Sequence, residues 1–314
     1  MRLSPLCLLF LSSVYSISGQ TAATLASAGY TAPAAPLAVA PGQVVTLFFR
    51  DVPPLPDGAL RAGEAKTLPL PTTVAGLSAS LDQPHASLPV FAVRQENDCY
   101  GDQANQSCLL TSMRVQIPFD LRPEMNLVLM VDGLPSRGFP LTEISDNAHV
   151  LTSCDLIWDT NWAHSCNRLA FHSDGTTQVT AKAPAQRGET LVVYLWGLGV
   201  TSPAIPAGAV SPAGTAVKQF PGVAGVRARF LDRVLTSLTA VPASYSLEDA
   251  TTPGSAIDFV GLTPGQVGLY QLNIPVPDSL NPATACGDTI LANAVLNVTT
   301  LFGATQEIGI CLKP

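Results

Sequence analysis

One order of sequence blocks occurs twice along the chain, and this repeat limits the fold before any chemistry is considered. PGQVVTLFFRDV from Pro41, VAGLSASL from Val74, MRVQIPFDL from Met113 and LVLMVDG from Leu127 form the first set. RGETLVVYLWGL from Arg187, VRARFLD from Val226, LYQLNIPVPDSL from Leu269 and ILANAVLNV from Ile290 form the second. The order is kept at an offset of about 150 residues, so one supersecondary plan is used twice.

The blocks themselves are strands. Many alternate apolar with small or polar residues, as a strand with one buried face must. The expected strands are Val44 to Phe49, Gly76 to Leu81, Leu88 to Val93, Met113 to Ile117, Asn126 to Val131, Thr190 to Trp196, Gly225 to Phe230, Ile257 to Val260, Leu269 to Ile274 and Thr289 to Thr299. The 27 prolines and 24 glycines are spread along the whole length, which breaks helical windows and places turns at short spacing. The expected fold is all-β, two β-sandwiches in tandem over 41–150 and 181–314. An Ala/Thr/Pro lead-in at 20–40 precedes them, and a junction at 151–180 resembles neither copy.

Residues 1–19 read as a secretory signal, with Arg2, an apolar run from Leu6 to Val14, and Ser16, Ser18 and Gly19 at the cleavage site. Cys7 leaves with that segment. Cys99, Cys108, Cys154, Cys166, Cys286 and Cys311 remain, an even set in a chain bound for an oxidising compartment. Six cysteines allow 15 connectivities. The expected pairing is by nearest neighbour, Cys99 with Cys108, Cys154 with Cys166 and Cys286 with Cys311, because each pair falls within one local segment. No CxxC motif speaks for a metal, and no cofactor is expected.

Charged residues make up 12% of the chain, against about 25% in average globular proteins. With 16 basic and 23 acidic residues and only Lys66, Lys182, Lys218 and Lys313 as lysines, the clustered cations of a phosphate-tracking surface are missing, so nucleic acid is not an expected partner. After the signal no apolar run reaches the length of a spanning helix, so no membrane insertion of the mature chain is expected.

GETLVVYLWGLGVTSPAIPAG from Gly188, IDFVGLTPGQVGLYQLNIPVPDSL from Ile257 and GDTILANAVLNV from Gly287 resemble the "Solibacter" C-terminal domain family of secreted acidobacterial proteins. The family's Gly-Leu-Gly-x-Thr-x-Pro turn stands at Gly197 to Pro203. Its Gly-Leu-x-Pro-Gly-x-Val-Gly-Leu-Tyr-Gln segment and following Val-Pro stretch stand at Gly261 to Pro277. APGQVVTLF from Ala40 and LPTTVAGLSASL from Leu70 resemble the upstream part of that family. The resemblance implies immunoglobulin-like sandwiches and no established activity. The cysteine-bounded segments at Cys99 to Cys108 and Cys154 to Cys166 depart from the family's pattern.

Candidate sites are few. Gly197-Leu198-Gly199 follows a strand, but Val200-Thr201-Ser202-Pro203 cannot open the helix a dinucleotide loop needs, so this is a turn that requires positive φ. His85, His149, His164 and His172 are present without a Gly-x-Ser-x-Gly elbow, which leaves an extracellular hydrolase as a minor alternative. Asp98, Asp102, Asp155 and Asp159 read as solvated loop acids. The best binding candidate is the segment CDLIWDTNWAHSC. There Trp158 and Trp162, with Asp159, Asn161 and His164, offer flat amphipathic faces and hydrogen-bonding groups. A disulfide across Cys154 and Cys166 would reduce the entropy such a loop loses on binding. Trp196, within a strand, is expected in the core.

These features together point to a non-catalytic secreted structural or adhesive protein that presents loops to an extracellular protein or polysaccharide. A carbohydrate-binding role of the Trp158/Trp162 loop is the alternative.

Overall fold

The computed structural model describes residues 21–29, 38–83, 85–98, 108–157, 166–217, 225–236, 256–280, 282, 284–300 and 305–314. Its regular elements are almost all strands. The N-terminal half contributes β1 (Thr24–Gly29), β2 (Ala38–Val39), β3 (Val44–Arg50), β4 (Ala62–Glu64), β5 (Thr73–Val74), β6 (Leu77–Leu81), β7 (Val90–Asn97), β8 (Leu109–Gln116), β9 (Glu124–Val131), β10 (Leu134–Pro135) and β11 (Phe139–Glu143). The C-terminal half contributes β12 (His149–Val150), the single-turn α1 (Ser153–Leu156), β13 (Thr190–Trp196), β14 (Thr201–Ser202), β15 (Ala216–Val217), β16 (Arg227–Leu231), β17 (Phe259–Leu262), β18 (Tyr270–Pro275), β19 (Ala294–Thr299) and β20 (Gln306–Ile310).

The repeat in the sequence is a repeat in pairing. One N-terminal sheet runs β1-β3-β8-β7-β4, and the other runs β2-β11-β9-β6-β5 with β10 hydrogen-bonded to β9. The C-terminal sheets run β12-β13-β18-β17-β15-β14 and β16-β19-β20. Lettered a to g in chain order, the seven principal strands of each half pair as a-b-e-d and g-f-c. This is the arrangement of constant-type immunoglobulin domains. β3 pairs antiparallel with β8 as β13 does with β18, and β6 with β9 as β16 does with β19. The lead-in supplies the first strand of the N-terminal copy, since Thr24 to Gly29 pairs along β3.

Alternation fixes which face is buried. β6, β18 and β20 bury every second residue, and their inward side chains meet those of the facing sheet. Leu47, Phe49, Met113 and Val115 of one N-terminal sheet share a core with Leu77, Leu127, Leu129 and Phe139 of the other. Leu191, Val193, Tyr270 and Leu272 likewise share one with Phe230, Leu296, Ile308 and Ile310. Each such side chain contributes roughly 1.5–3 kcal/mol when fully buried.

Two hairpins of the N-terminal sandwich turn through two residues, Ala75-Gly76 and Asp132-Gly133, all four with positive φ as the right-handed strand twist demands. Arg61, wholly buried, sits beneath both turns. Its guanidinium donates to the carbonyls of Pro53, Pro54 and Ala75 and to both carboxylate oxygens of Asp132. This ties the loop before β4 to the β5–β6 and β9–β10 turns. The Arg61 hydrogen bonds hold the Asp132 carboxyl below its ordinary range, against a smaller effect of burial.

The two sandwiches meet along a packed seam. Val44 and Phe91 of the first lie against Leu151, Tyr194, Trp196 and Leu269 of the second. Gly208 N donates to Gln116 Oε1 at 2.6 Å, and Leu70 N donates to Gly208 O at 2.9 Å. Gly268, at φ +62°, approaches so closely that a Cβ would lie 2.7 Å from Val44 Cγ2. Phe119 reaches across to pack on the C-terminal core.

Candidate functional site

The segment between Cys154 and Cys166 leaves the C-terminal sandwich at this seam, and its two ends are built as a collar. Thr152, extended at φ −109° and ψ 168°, caps α1. Its Oγ1 accepts from Asp155 N at 3.3 Å, while the Asp155 carboxylate accepts from Thr152 N at 2.8 Å and Thr152 Oγ1 at 2.7 Å. This reciprocal cap satisfies donors that a helix start leaves orphaned. The returning segment closes the collar, with Ser153 N donating to Asn167 O and Leu169 N to Leu151 O, both at 2.9 Å. The Cys154–Cys166 disulfide crosses it with the Cα atoms 5.4 Å apart. The Cys286–Cys311 bond forms as expected too, and Cys108 is disulfide-bonded. Cys99 lies outside the described residues.

Asp155 is not the solvated loop acid its sequence context suggests. Only 7% of it is exposed, and it lies in the collar floor with Oδ2 2.7 Å from His149 Nε2. Its position as the third residue of a capped turn carries the carboxylate back toward the cap and into the protein. Burial pushes its pKa up, but the His149 charge and hydrogen bond and the two Thr152 hydrogen bonds outweigh that effect and hold it below the ordinary carboxylate value. The His149 ring stacks on Trp196, with centroids 5.9 Å apart and planes at 16°. Arg114 of β8, in the other sandwich, places Cζ 5.2 Å from the centre of the same indole. Burial pushes the Arg114 pKa down to about 10, and the nearby Asp155 charge opposes that shift. Trp196 is buried as expected, but it lies in the seam rather than inside one sandwich.

Of the sequence-derived binding candidates, Trp158, Asp159, Asn161, Trp162 and His164 all lie outside the described residues. The described approach to them is apolar and open. Leu156 is 62% and Ile157 74% exposed, immediately after the buried pair Cys154 and Asp155. The sequence reading missed His149 and Arg114 as parts of this assembly. A histidine six residues before an aspartate that follows a Thr-Ser-Cys start was the only local signal, and nothing local points to Arg114.

The other marked positions are structural. Gly197 and Gly199 have φ +78° and +83°, and a Cβ on Gly199 would lie 2.3 Å from Ser145 O, so the Gly-Leu-Gly motif is a turn against the backbone. Asp98 pairs with Arg50 at the surface. His172 Nδ1 lies 2.5 Å from Glu189 Oε1 and its Nε2 3.1 Å from Ala183 O. Among the described residues no group of three or more His, Cys, Asp or Glu is placed to hold a metal ion. No helix among them is long and apolar enough to cross a membrane.

No family model matches the chain, and no curated protein matches it. The solved structures similar to it include two bacterial adhesins. The Escherichia coli adhesin FdeC is 11% identical with a TM-score of 0.21, over 94% of this chain and 65% of that one. The Yersinia pseudotuberculosis adhesin InvE is 13% identical with a TM-score of 0.18, over 93% of this chain and 59% of that one. The chain thus spans less than two thirds of the length of either structure. At such TM-scores the molecules do not superpose as wholes, and the likeness carries no functional weight.

Proposed function

We propose that this chain is a secreted, non-catalytic binding protein that presents the Cys154–Cys166 loop from the seam of two immunoglobulin-like sandwiches to an extracellular partner. The observation that carries the reading is the contrast within one turn. Cys154 and Asp155 are buried and tied down, while Leu156 and Ile157 point outward, 62% and 74% exposed. A large apolar pair held in water on a braced, disulfide-closed turn is disfavoured in the free protein, and covering it by a partner relieves that penalty. The disulfides support an oxidising destination. A partner contact through Trp158 and Trp162, with Asp159, Asn161 and His164, is part of this proposal on sequence grounds alone, and kinship with the "Solibacter" C-terminal domain family belongs to it as well.

The test is a binding array of extracellular proteins and polysaccharides, probed with the native chain, a Leu156→Asp/Ile157→Asp variant and Trp158→Ala. Partners bound by the native chain are expected to be lost with the double variant while its far-ultraviolet circular dichroism is unchanged. If the partners lost with Trp158→Ala are glycans, the loop is a carbohydrate reader. Equal binding by all three chains, or turnover of an ester, peptide or glycoside substrate abolished by His164→Ala, would count against the reading.

A further inference from the structure

Beside the collar, Asn167 and Arg168 form one wall of a cleft of about 260 Å³ that runs along the outer edge of β20. An edge strand offers unpaired peptide groups, and those of alternate residues face the same side. Cys311 O accepts from Ala185 N and Lys313 N donates to Ala185 O, both at 2.8 Å, while Glu307 O accepts from Arg168 Nη1 at 3.2 Å. Residues 307, 309, 311 and 313 therefore address the edge away from β19. The peptide of Gly309 lies between two occupied positions and opens onto the cleft, which Gly309 lines.

That arrangement selects its ligand. The Arg168 guanidinium and the Ala185 backbone block the edge on either side, so an added β-strand has no room to propagate. What fits is one donor and one acceptor side by side, the pattern of a single secondary amide. The floor beside Gly309 is apolar, with Ala170 and Val179 buried, and suits a methyl group. The rim carries Asn167, Gln178 and Thr180, whose amides and hydroxyl suit sugar hydroxyls. The volume falls just below the roughly 300–1,000 Å³ of drug-sized pockets, which is a monosaccharide scale.

We propose that this cleft is a subsite for an N-acetylated sugar, its acetamido group paired with the Gly309 peptide and its methyl on Ala170 and Val179. The inference goes beyond the loop reading and does not depend on Leu156 or Ile157.

Amide-resolved NMR titration of the full chain tests it, with N-acetylglucosamine, glucose and N-acetylglycine methylamide as probes. N-acetylglucosamine is expected to shift the Gly309 amide saturably with Kd on the order of 1–10 mM, in the range of a single small ligand. Glucose is expected to bind about tenfold more weakly or not at all, since it leaves the Gly309 peptide unpaired. Gly287→Leu, built where an added Cβ meets no atom within 4 Å, is expected to fill the cleft, keep the fold and abolish the shift. The Leu156→Asp/Ile157→Asp variant is expected to bind N-acetylglucosamine like the native chain, which separates failure of this proposal from failure of the loop reading. No saturable shift, equal binding of glucose, saturation by the peptide amide alone, or undiminished binding by Gly287→Leu would overturn it.

Discussion

The Asp155 carboxylate and the His149 imidazole meet at 2.7 Å in the floor of the Cys154–Cys166 collar, and His149 in turn stacks on Trp196 at the seam of the two sandwiches. One buried acid thus connects the start of the loop to the contact between the sandwiches. Its removal is expected to disturb both.

Replacing Asp155 by Ala breaks the His149 pair and the reciprocal cap together and is expected to destabilise the chain by about 3 kcal/mol in chemical denaturation. Because the folded-state pKa is lowered, the stabilisation is present above the unfolded value of about 3.9 and is lost as pH falls through the folded-state value. Asp155→Asn should therefore flatten the acid limb of a stability-versus-pH curve. An unchanged acid limb would show that this carboxylate does not contribute.

His172 behaves in the opposite sense. Burial pulls its pKa down, but the Glu189 hydrogen bond, the Ala183 carbonyl and the charges of Glu189 and Asp174 outweigh that and raise it. Both ring nitrogens face acceptors, which suits the imidazolium. The contribution is full below the unfolded value of about 6.5 and fades as pH rises through the folded-state value. An NMR titration should place His172 above about 6.5, and Glu189→Gln should bring it down.

Arg61 is the strictest position in the N-terminal sandwich. Arg61→Lys cannot reproduce a planar fork that reaches three carbonyls and Asp132, and it should cost about 3 kcal/mol or more. Asp132→Asn should cost less, since the Asp132 side chain is 44% exposed. Urea denaturation of the two variants gives the ranking directly.

The seam has its own test in Gly268. Gly268→Ala adds a Cβ 2.7 Å from Val44 Cγ2 at a positive φ, so it should lower stability by about 1–3 kcal/mol. It should also loosen the coupling of the sandwiches, seen in calorimetry as a broadened or split transition. A single, unshifted transition would mean that the contact yields without consequence.

Strands were legible where alternation and turn chemistry agree. Thr190 to Trp196 is read from the sequence with its observed bounds, and Val44 to Phe49 misses only Arg50. β11, with Pro140 inside it, and β20, a short Gln-Glu-Ile-Gly-Ile run, carry too little strand signal to be found alone and are held by pairing with β9 and β19. The repeat predicts two copies of one plan, and the pairing of β3 with β8 and β13 with β18 is that plan. The collar was half legible. Cysteine spacing marks its ends, but Trp196, which stacks on the His149 partner of Asp155, and Arg114, which lies over that indole, come from distant strands and leave no local trace.

The most direct measurement compares the native chain with a Cys154→Ser/Cys166→Ser variant for affinity toward a partner recovered from the array. Opening a loop with a sequence separation of 12 frees chain that must be ordered again on binding, so the variant is expected to bind at least about tenfold more weakly while both sandwiches stay folded. Equal affinity of the two chains would contradict the claim that the braced loop is the recognition surface.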